Sequence, residues 1–164
     1  MPVVELSNLA ILAANVALWA VAHAGSGYVA HRLPLDRLQR DGPLLRLRAV
    51  ERGGRLYERL GIRRWKDRLP EAGALFRDGL SKRSLPGGRA EGLERFAAET
   101  RRAERGHWLS LTCLPLFVLW NPPVGVALMV AYGVLVNLPF IAIQRYNRAR
   151  VQRVLARRRD RLPG

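Results

Sequence analysis

A glutamate and a histidine three residues apart form the pair whose side chains are best suited to acid–base chemistry. Glu104 and His107 would share one face of a helix, because residues at i and i+3 are neighbours there. A histidine can act as a general base near neutral pH, and a carboxylate can hold its tautomer. The alternative is that His107 anchors a helix end at a membrane surface.

The same spacing also occurs in carboxylate-bridged metal centres, which need a second Glu-x-x-His pair. The sequence contains no second pair, so we expect neither a metal ion nor a cofactor. The single cysteine, Cys113, excludes an internal disulfide and a zinc-finger spacing. His23 and His31 have no nearby carboxylate except Asp36, and we interpret them as structural.

Three apolar runs must position these residues. They cover 9–30, 107–120 and 124–143, and Asn-Pro-Pro at 121–123 separates the last two. The first and third are long enough for a hydrocarbon core about 30 Å thick, whereas the second is short, so either its helix begins near Ala103 or the bilayer thins around it. Two prolines in succession cannot continue a helix, so the last two runs predict a helical hairpin. Its two ends would bring Glu104 and His107 to the same depth as residues 144–150.

The predicted fold is an all-α membrane protein with about three transmembrane helices. Residues 1–31 form the N-terminal helix, 32–102 a basic interfacial segment, 103–145 the hairpin and 146–164 a basic tail. Within the interfacial segment we expect a short helix at 55–60, a loop at 84–88 and a longer helix at 91–105. Trp65 among arginines and lysine is typical of a segment at the headgroup level.

Charge predicts the orientation in the membrane. The chain has 28 Lys+Arg against 13 Asp+Glu, a formal charge of +15, and the basic residues flank the apolar runs. The positive-inside rule places the N-terminus outside and the basic segments in the cytoplasm of a multi-pass cell-membrane protein. Anionic lipid is the expected partner of the arginines. Nucleic acid is not, because zinc-finger spacing, an RNP motif and a recognition helix are missing from the sequence.

A cleaved signal peptide is an alternative to the first transmembrane helix. Ala22, His23 and Ala24 resemble a small-x-small cleavage pattern. The residues before the apolar run contain no lysine or arginine, however, and the run continues beyond that point. We therefore expect the helix to be retained.

Several strings together resemble the glycosyl-4,4'-diaponeurosporenoate acyltransferases. They are Glu-Thr-Arg-Arg-Ala-Glu at 99–104 with His-Trp at 107–108, Asn-Leu-Pro at 137–139, Gln-Arg-Tyr-Asn-Arg at 144–148 followed by Arg150, and Arg-Trp-Lys-Asp at 64–67. Their order and spacing agree with that family from about Glu51 to the tail. The Gln-Arg-Tyr-Asn-Arg string is the most specific of them.

The resemblance implies transfer of a fatty acyl group to a sugar hydroxyl of a glycosylated carotenoid at the membrane. The donor would be an activated acyl thioester, and the acceptor a glycosylated isoprenoid. This chain departs from the family in its high arginine content and in the loop at 75–89. The loop bears on the choice of acceptor, because loops tune substrate specificity.

On the positions that match the family, we expect four catalytic residues. His107 would deprotonate the sugar hydroxyl, and Glu104 would orient His107. Arg145, with Asn137 or Gln144, would stabilise the tetrahedral oxyanion. Alternatively, Asn137 only joins helices. The residues expected to bind substrate are Gln144, Tyr146, Asn147, Arg148, Trp65 and Lys66.

Two other functions are compatible with the composition. A non-catalytic membrane adaptor would recruit an anionic partner and would tolerate replacement of His107. A nucleic-acid tether would show salt-dependent binding of DNA through the basic tail. Since no Ser-His-Asp arrangement is evident, the acyltransferase hypothesis favours direct transfer over a covalent acyl-enzyme.

Overall fold

The computed structural model describes residues 2–69 and 90–160, and within these ranges every regular element is helical. The all-α class is therefore confirmed. The loops predicted at 84–88 and 75–89 lie outside the described residues.

In the described part of the chain, the framework consists of the α-helices α1 Asn8–Arg32, α2 Arg55–Arg59, α3 Ile62–Trp65, α4 Ala90–Leu111 and α5 Pro123–Arg159. Short 3-10 helices occupy Leu35–Leu38, Ala49–Gly54, Lys66–Arg68 and Leu114–Leu119. The predicted helices at 55–60 and 91–105 are confirmed as α2 and α4. The tail that the sequence sets apart from residue 146 onward is a direct continuation of α5.

Among the described residues, two helices are long and apolar enough to cross a membrane, α1 and α5. The run at 107–120 does not form a helix of that length, because α4 ends at Leu111 and a 3-10 helix follows. Pro115 lies at the start of that 3-10 helix. Proline lacks the N–H that would continue the α-helical ladder and restricts the residue before it. The third span and the hairpin therefore stay predictions.

The chain divides into two compact units. Unit 1 comprises Met1–Arg32 and Arg105–Phe140, and unit 2 comprises Leu33–Glu104 and Ile141–Gly164. Helices α4 and α5 each contribute residues to both units. The two units differ in chemistry, because unit 1 is mainly apolar whereas unit 2 has charged side chains in its core.

Unit 1 is built around one face of α1. The buried residues of this helix are Asn15, Trp19, Ser26 and Ala30, spaced as on one side of a helix. The Trp19 ring lies 5.3 Å from that of Phe117 and 5.0 Å from that of Tyr132, measured between centroids. Gly133 permits this packing, since a Cβ atom there would be 2.8 Å from Cη2 of Trp19. Large apolar side chains are exposed on the remaining surface of the helices of unit 1, including Leu9, Leu12, Val16, Leu128 and Leu135.

Two buried asparagines hold the end of unit 1 near the start of α5. Asn15 Nδ2 donates to Asn121 Oδ1 at 2.9 Å, and Asn121 Nδ2 donates back to Asn15 Oδ1 at 2.8 Å. Trp120 Nε1 donates to the same Asn15 oxygen at 2.8 Å. This reciprocal pair satisfies both amides in an apolar setting, where an unpaired amide would be costly.

Unit 2 has two apolar clusters. One consists of Tyr57, Ile62, Ile143 and Tyr146, and the other of Leu93, Phe96, Ala97 and Val151. Gly54, with φ of 81°, lies against the Tyr146 ring, where a Cβ would approach within 3.0 Å. The left-handed backbone and the close ring together require glycine at this position.

Replacing Asn15 by leucine should destabilise the protein, because Asn121 would lose its buried partner. We expect a loss of about 1 kcal/mol in the free energy of unfolding. The double variant Asn15→Leu/Asn121→Leu should lose less than the sum of the two single variants. Unfolding in detergent, with Val16→Leu as an exposed control on α1, measures this coupling. Additive losses would show that the pair contributes no interaction energy.

Candidate active site

The residues predicted to do chemistry are divided between the two units. His107 and Asn137 belong to unit 1. The other predicted residues belong to unit 2: Glu104, Gln144, Arg145, Tyr146, Asn147, Arg148, Trp65 and Lys66.

In unit 1 the structure brings His107 and Asn137 together. Nδ1 of His107 lies 3.0 Å from Oδ1 of Asn137, whose side chain is fully buried. The imidazole also stacks on Phe140, with centroids 5.0 Å apart and planes 11° from parallel. Contacts from two residues of α5 therefore restrain the ring in position and in plane.

Ser110 is a member of this cluster that the sequence analysis missed. Its hydroxyl lies 2.7 Å from Oδ1 of Asn137 and 2.9 Å from the backbone carbonyl of His107. The available signal was its position, one helical turn after His107 in an otherwise apolar run. Serine hydroxyls in helices commonly bond a backbone carbonyl of the preceding turn, so a serine at this position did not by itself indicate a functional residue.

In unit 2 the guanidinium of Arg145 is the centre of a buried polar network. Its Nε and Nη2 donate to the two oxygens of Glu51 at 2.6 and 2.8 Å. Nη1 donates to Glu104 at 2.7 Å and to the Leu44 carbonyl at 3.2 Å, and Nη2 donates to the Arg46 carbonyl at 3.0 Å. An arginine has five N–H groups, so every one is used. An oxyanion would have to displace one of these bonds.

Glu104 accepts bonds from two arginines. In addition to Arg145, Nη2 of Arg148 donates to it at 2.6 Å, and both the Glu104 and Arg148 side chains are fully buried. Asp41 lies near Arg148 at 3.6 Å and accepts a bond from Arg101 at 2.6 Å. With Glu51 and Arg145 included, three carboxylates face three guanidinium groups, so the charges of the network balance.

Glu51 and Tyr57 are network members that lie far from the predicted string in sequence and were also missed. Burial alone would raise the pKa of Glu51, but hydrogen bonds from Arg145, Tyr57 and the Arg48 amide outweigh it and lower that pKa to about 2. Burial and the bond to Glu51 raise the pKa of Tyr57. Glu51 therefore stays charged at neutral pH.

The residues predicted to bind substrate are mostly internal to unit 2. Tyr146 and Asn147 are each 1% exposed, and the Tyr146 hydroxyl lies 3.3 Å from both Glu58 and Arg63. Lys66 is buried and pairs with Asp67 at 2.6 Å. Trp65 and Gln144 are half-buried, and Trp65 packs against the Tyr57 cluster. Their predicted contact with substrate stays a prediction.

Residues 41–157 match the family model of the glycosyl-4,4'-diaponeurosporenoate acyltransferases. The chain belongs to this family. A protein with that name from Staphylococcus aureus strain bovine RF122 is 27% identical over 148 residues, covering 87% of this chain and 88% of the relative. A Staphylococcus haemolyticus relative of the same name is 29% identical over 83% of this chain and 80% of its own. No solved structure matches the chain.

Family membership makes the protein an acyltransferase. The matched range includes the His107 cluster and all six charged residues of the unit 2 network. Within the described residues, no group of three His, Cys, Asp or Glu side chains is arranged to hold a metal ion.

Replacing Glu104 by alanine should strongly destabilise the protein, because Arg145 and Arg148 would lose a shared buried counter-charge. We expect a loss of about 3–5 kcal/mol in the free energy of unfolding, and a lower yield in the membrane. Glu94→Ala, an exposed glutamate of the same helix, is the matched control and should change stability by less than about 0.5 kcal/mol. Equal stability of the two variants in detergent would contradict a structural role for the network.

The depressed pKa of Glu51 predicts sensitivity to acid. Because its pKa is about 2 in the folded protein against an ordinary 4.5, its contribution is complete above pH 4.5 and is lost as the pH falls towards 2. Thermal unfolding midpoints measured in a non-ionic detergent across this range should fall more steeply for the wild type than for Glu51→Gln. Glu94→Gln serves as the exposed control. Parallel curves for wild type and Glu51→Gln would contradict the assignment.

Proposed function

We propose that this acyltransferase esterifies a sugar hydroxyl of a glycosylated carotenoid with a fatty acyl group, in carotenoid biosynthesis. The names of its relatives support this acceptor. The observation in this chain that carries the proposal is His107, a restrained imidazole in the unit whose exterior is apolar. An acyl chain and a carotenoid both reside in hydrocarbon, so the base belongs beside that phase.

The reaction we propose is a direct transfer from an acyl thioester. His107 takes the proton of the sugar hydroxyl while its oxygen attacks the thioester carbonyl carbon. The tetrahedral intermediate then collapses, the C–S bond breaks, and the imidazolium returns its proton to the departing thiolate. The products are the ester and a free thiol, and His107 ends neutral as it began.

We propose a positioning role for Glu104 and Arg145. All five N–H groups of Arg145 are donated inside unit 2, and both oxygens of Glu104 accept bonds from arginine. The bonds of these two side chains rigidify the elements that carry them. The predicted participation of Arg145 or Gln144 in oxyanion stabilisation stays a prediction.

We propose that the protein is a multi-pass protein of the cell membrane. The apolar, exposed surfaces of α1 and α5 support insertion into lipid. The excess of arginine in the segments that flank them supports a cytoplasmic location for these segments and an external N-terminus. Anionic headgroups would then contact the exposed arginines, including Arg157, Arg158 and Arg159 at the end of α5.

Mass spectrometry of pigments tests this function. Cells that make a glycosylated carotenoid would express the wild type, His107→Gln or the control His31→Gln, which replaces an exposed histidine at the end of α1. We expect the wild type and the control to add a fatty acyl mass to the glycoside. His107→Gln should lower ester formation by at least about 100-fold at equal membrane abundance. An unmodified glycoside in cells with abundant wild-type protein would favour the adaptor instead.

A further inference from the structure

We propose that Asn137 and Ser110 act as a tautomer relay for His107, so that the ring holds its proton on Nδ1 and presents a basic lone pair on Nε2. Asn137 is thereby a positioning residue that acts through His107, in place of the oxyanion contact expected from the sequence. The catalytic meaning of the relay rests on the proposed function, whereas the tautomer itself does not.

The backbone carbonyl of Gly133 fixes the orientation of the Asn137 amide. The amide nitrogen, Nδ2, donates to the backbone carbonyl of Gly133 at 2.9 Å, one turn earlier on α5. A carbonyl oxygen only accepts, so the NH₂ group must face it. Rotating the amide by 180° would place two acceptor oxygens together in a fully buried position. The Gly133 carbonyl therefore directs Oδ1 away from its own helix turn.

Ser110 contacts the oxygen of the Asn137 amide. Its hydroxyl lies 2.7 Å from Oδ1 of Asn137, and the serine is 1% exposed. The hydroxyl has a single proton and also lies 2.9 Å from the His107 carbonyl, so it supports this orientation when it donates to Oδ1, and the bond to Gly133 is what fixes the orientation. Gly133 and Ser110 together hold both ends of the Asn137 amide, and neither of them contacts the imidazole ring by these bonds.

The orientation of the Asn137 amide determines which nitrogen of His107 carries the proton. Oδ1 of Asn137 offers only lone pairs to Nδ1 of His107, which lies 3.0 Å away. A hydrogen bond across this distance requires the proton to be on Nδ1. In the neutral ring, the lone pair that can accept a proton is then on Nε2. Phe140, stacked 5.0 Å from the ring, restrains the plane in which that lone pair points.

The relay is neutral, which suits unit 1. The only carboxylate in this unit is Glu5, and the adjacent Val4 bonds to the Leu119 carbonyl. A carboxylate partner for Nδ1 would have to be desolvated in an apolar environment, whereas a buried amide needs only its hydrogen bonds. Selecting the tautomer matters, because a wrong tautomer lowered turnover by about 10⁴-fold in serine proteases.

Nitrogen-15 NMR of the purified full-length protein in detergent micelles tests the relay without relying on activity. Histidine would be ¹⁵N-labelled, and the His107 signals would be assigned by their loss in His107→Gln. At about pH 8, where a neutral ring is expected, Nδ1 should show the shift of a protonated nitrogen and Nε2 that of a bare one. A wild-type ring protonated on Nε2 would overturn the proposal.

Variants at Asn137 make the test specific. Leucine in Asn137→Leu cannot accept a hydrogen bond, so we expect His107 to lose its preference for Nδ1–H, and acyl transfer to fall at least about tenfold. Asn137→Asp can still accept from Nδ1–H and should retain the tautomer, although loss of the bond to the Gly133 carbonyl and the buried charge should lower stability. Asn121→Leu makes the same change at the buried asparagine that pairs with Asn15. It should leave the tautomer of His107 unchanged.

The outcomes separate the relay from the proposed function. An unchanged tautomer in a folded Asn137→Leu variant would overturn the relay. If the tautomer shifts in Asn137→Leu and not in Asn121→Leu, the relay stands, even where no variant esterifies the glycoside and the proposed reaction fails. If Asn137→Leu does not fold, the tautomer of His107 can still be measured in the wild type and in Ser110→Ala. A wild-type ring that carries no proton on Nδ1 would by itself overturn the relay.

Discussion

The full pairing of the five N–H groups of Arg145 is the constraint on which the rest of unit 2 depends. A largely buried guanidinium needs a balancing charge and partners for its donors, and Arg145 has both through Glu51, Glu104 and the Leu44 and Arg46 carbonyls. Those partners lie on two parts of the chain, residues 44–51 and α4. The segment between α1 and α2 is held by the bonds that Arg145 and Arg148 make to its carbonyls and by the burial of Leu38, Leu45 and Leu47.

Unit 1 solves the opposite problem with neutral groups. Its buried polar side chains include Asn15, Asn121, Asn137 and Ser110, which satisfy one another or nearby carbonyls without a buried ion pair among these bonds. In an apolar surrounding, paired amides avoid the desolvation of charge and still specify one packing arrangement. His107, the proposed proton acceptor, belongs to this neutral cluster, whose bonds restrain the orientation of its ring.

Sequence periodicity and charge were sufficient to predict α1, the apolar part of α5 and the helical class, because long apolar runs carry that information locally. The continuation of α5 through the basic tail to Arg159 was not predicted. Where α4 ends was not predicted, since the apolar run hides the effect of Pro115. The importance of Asn137 followed from a buried amide in an apolar run, and its partner His107 was already a candidate. Glu51, Tyr57 and Ser110 were missed, because their partners are distant in sequence or their residue types are common in helices. Tyr146 and Arg148, which were predicted to contact substrate, are core residues of unit 2, and their contact with substrate stays a prediction.

The balance of three acids and three arginines also constrains biosynthesis. Asp41, Glu51 and Glu104 all precede Arg145 and Arg148 in the chain. Until those two arginines have been translated, Glu51 and Glu104 lack their native counter-ions and must stay hydrated, whereas Asp41 can already pair with Arg101. The ion pairs of Glu51 and Glu104 therefore form only after translation of the second half of α5.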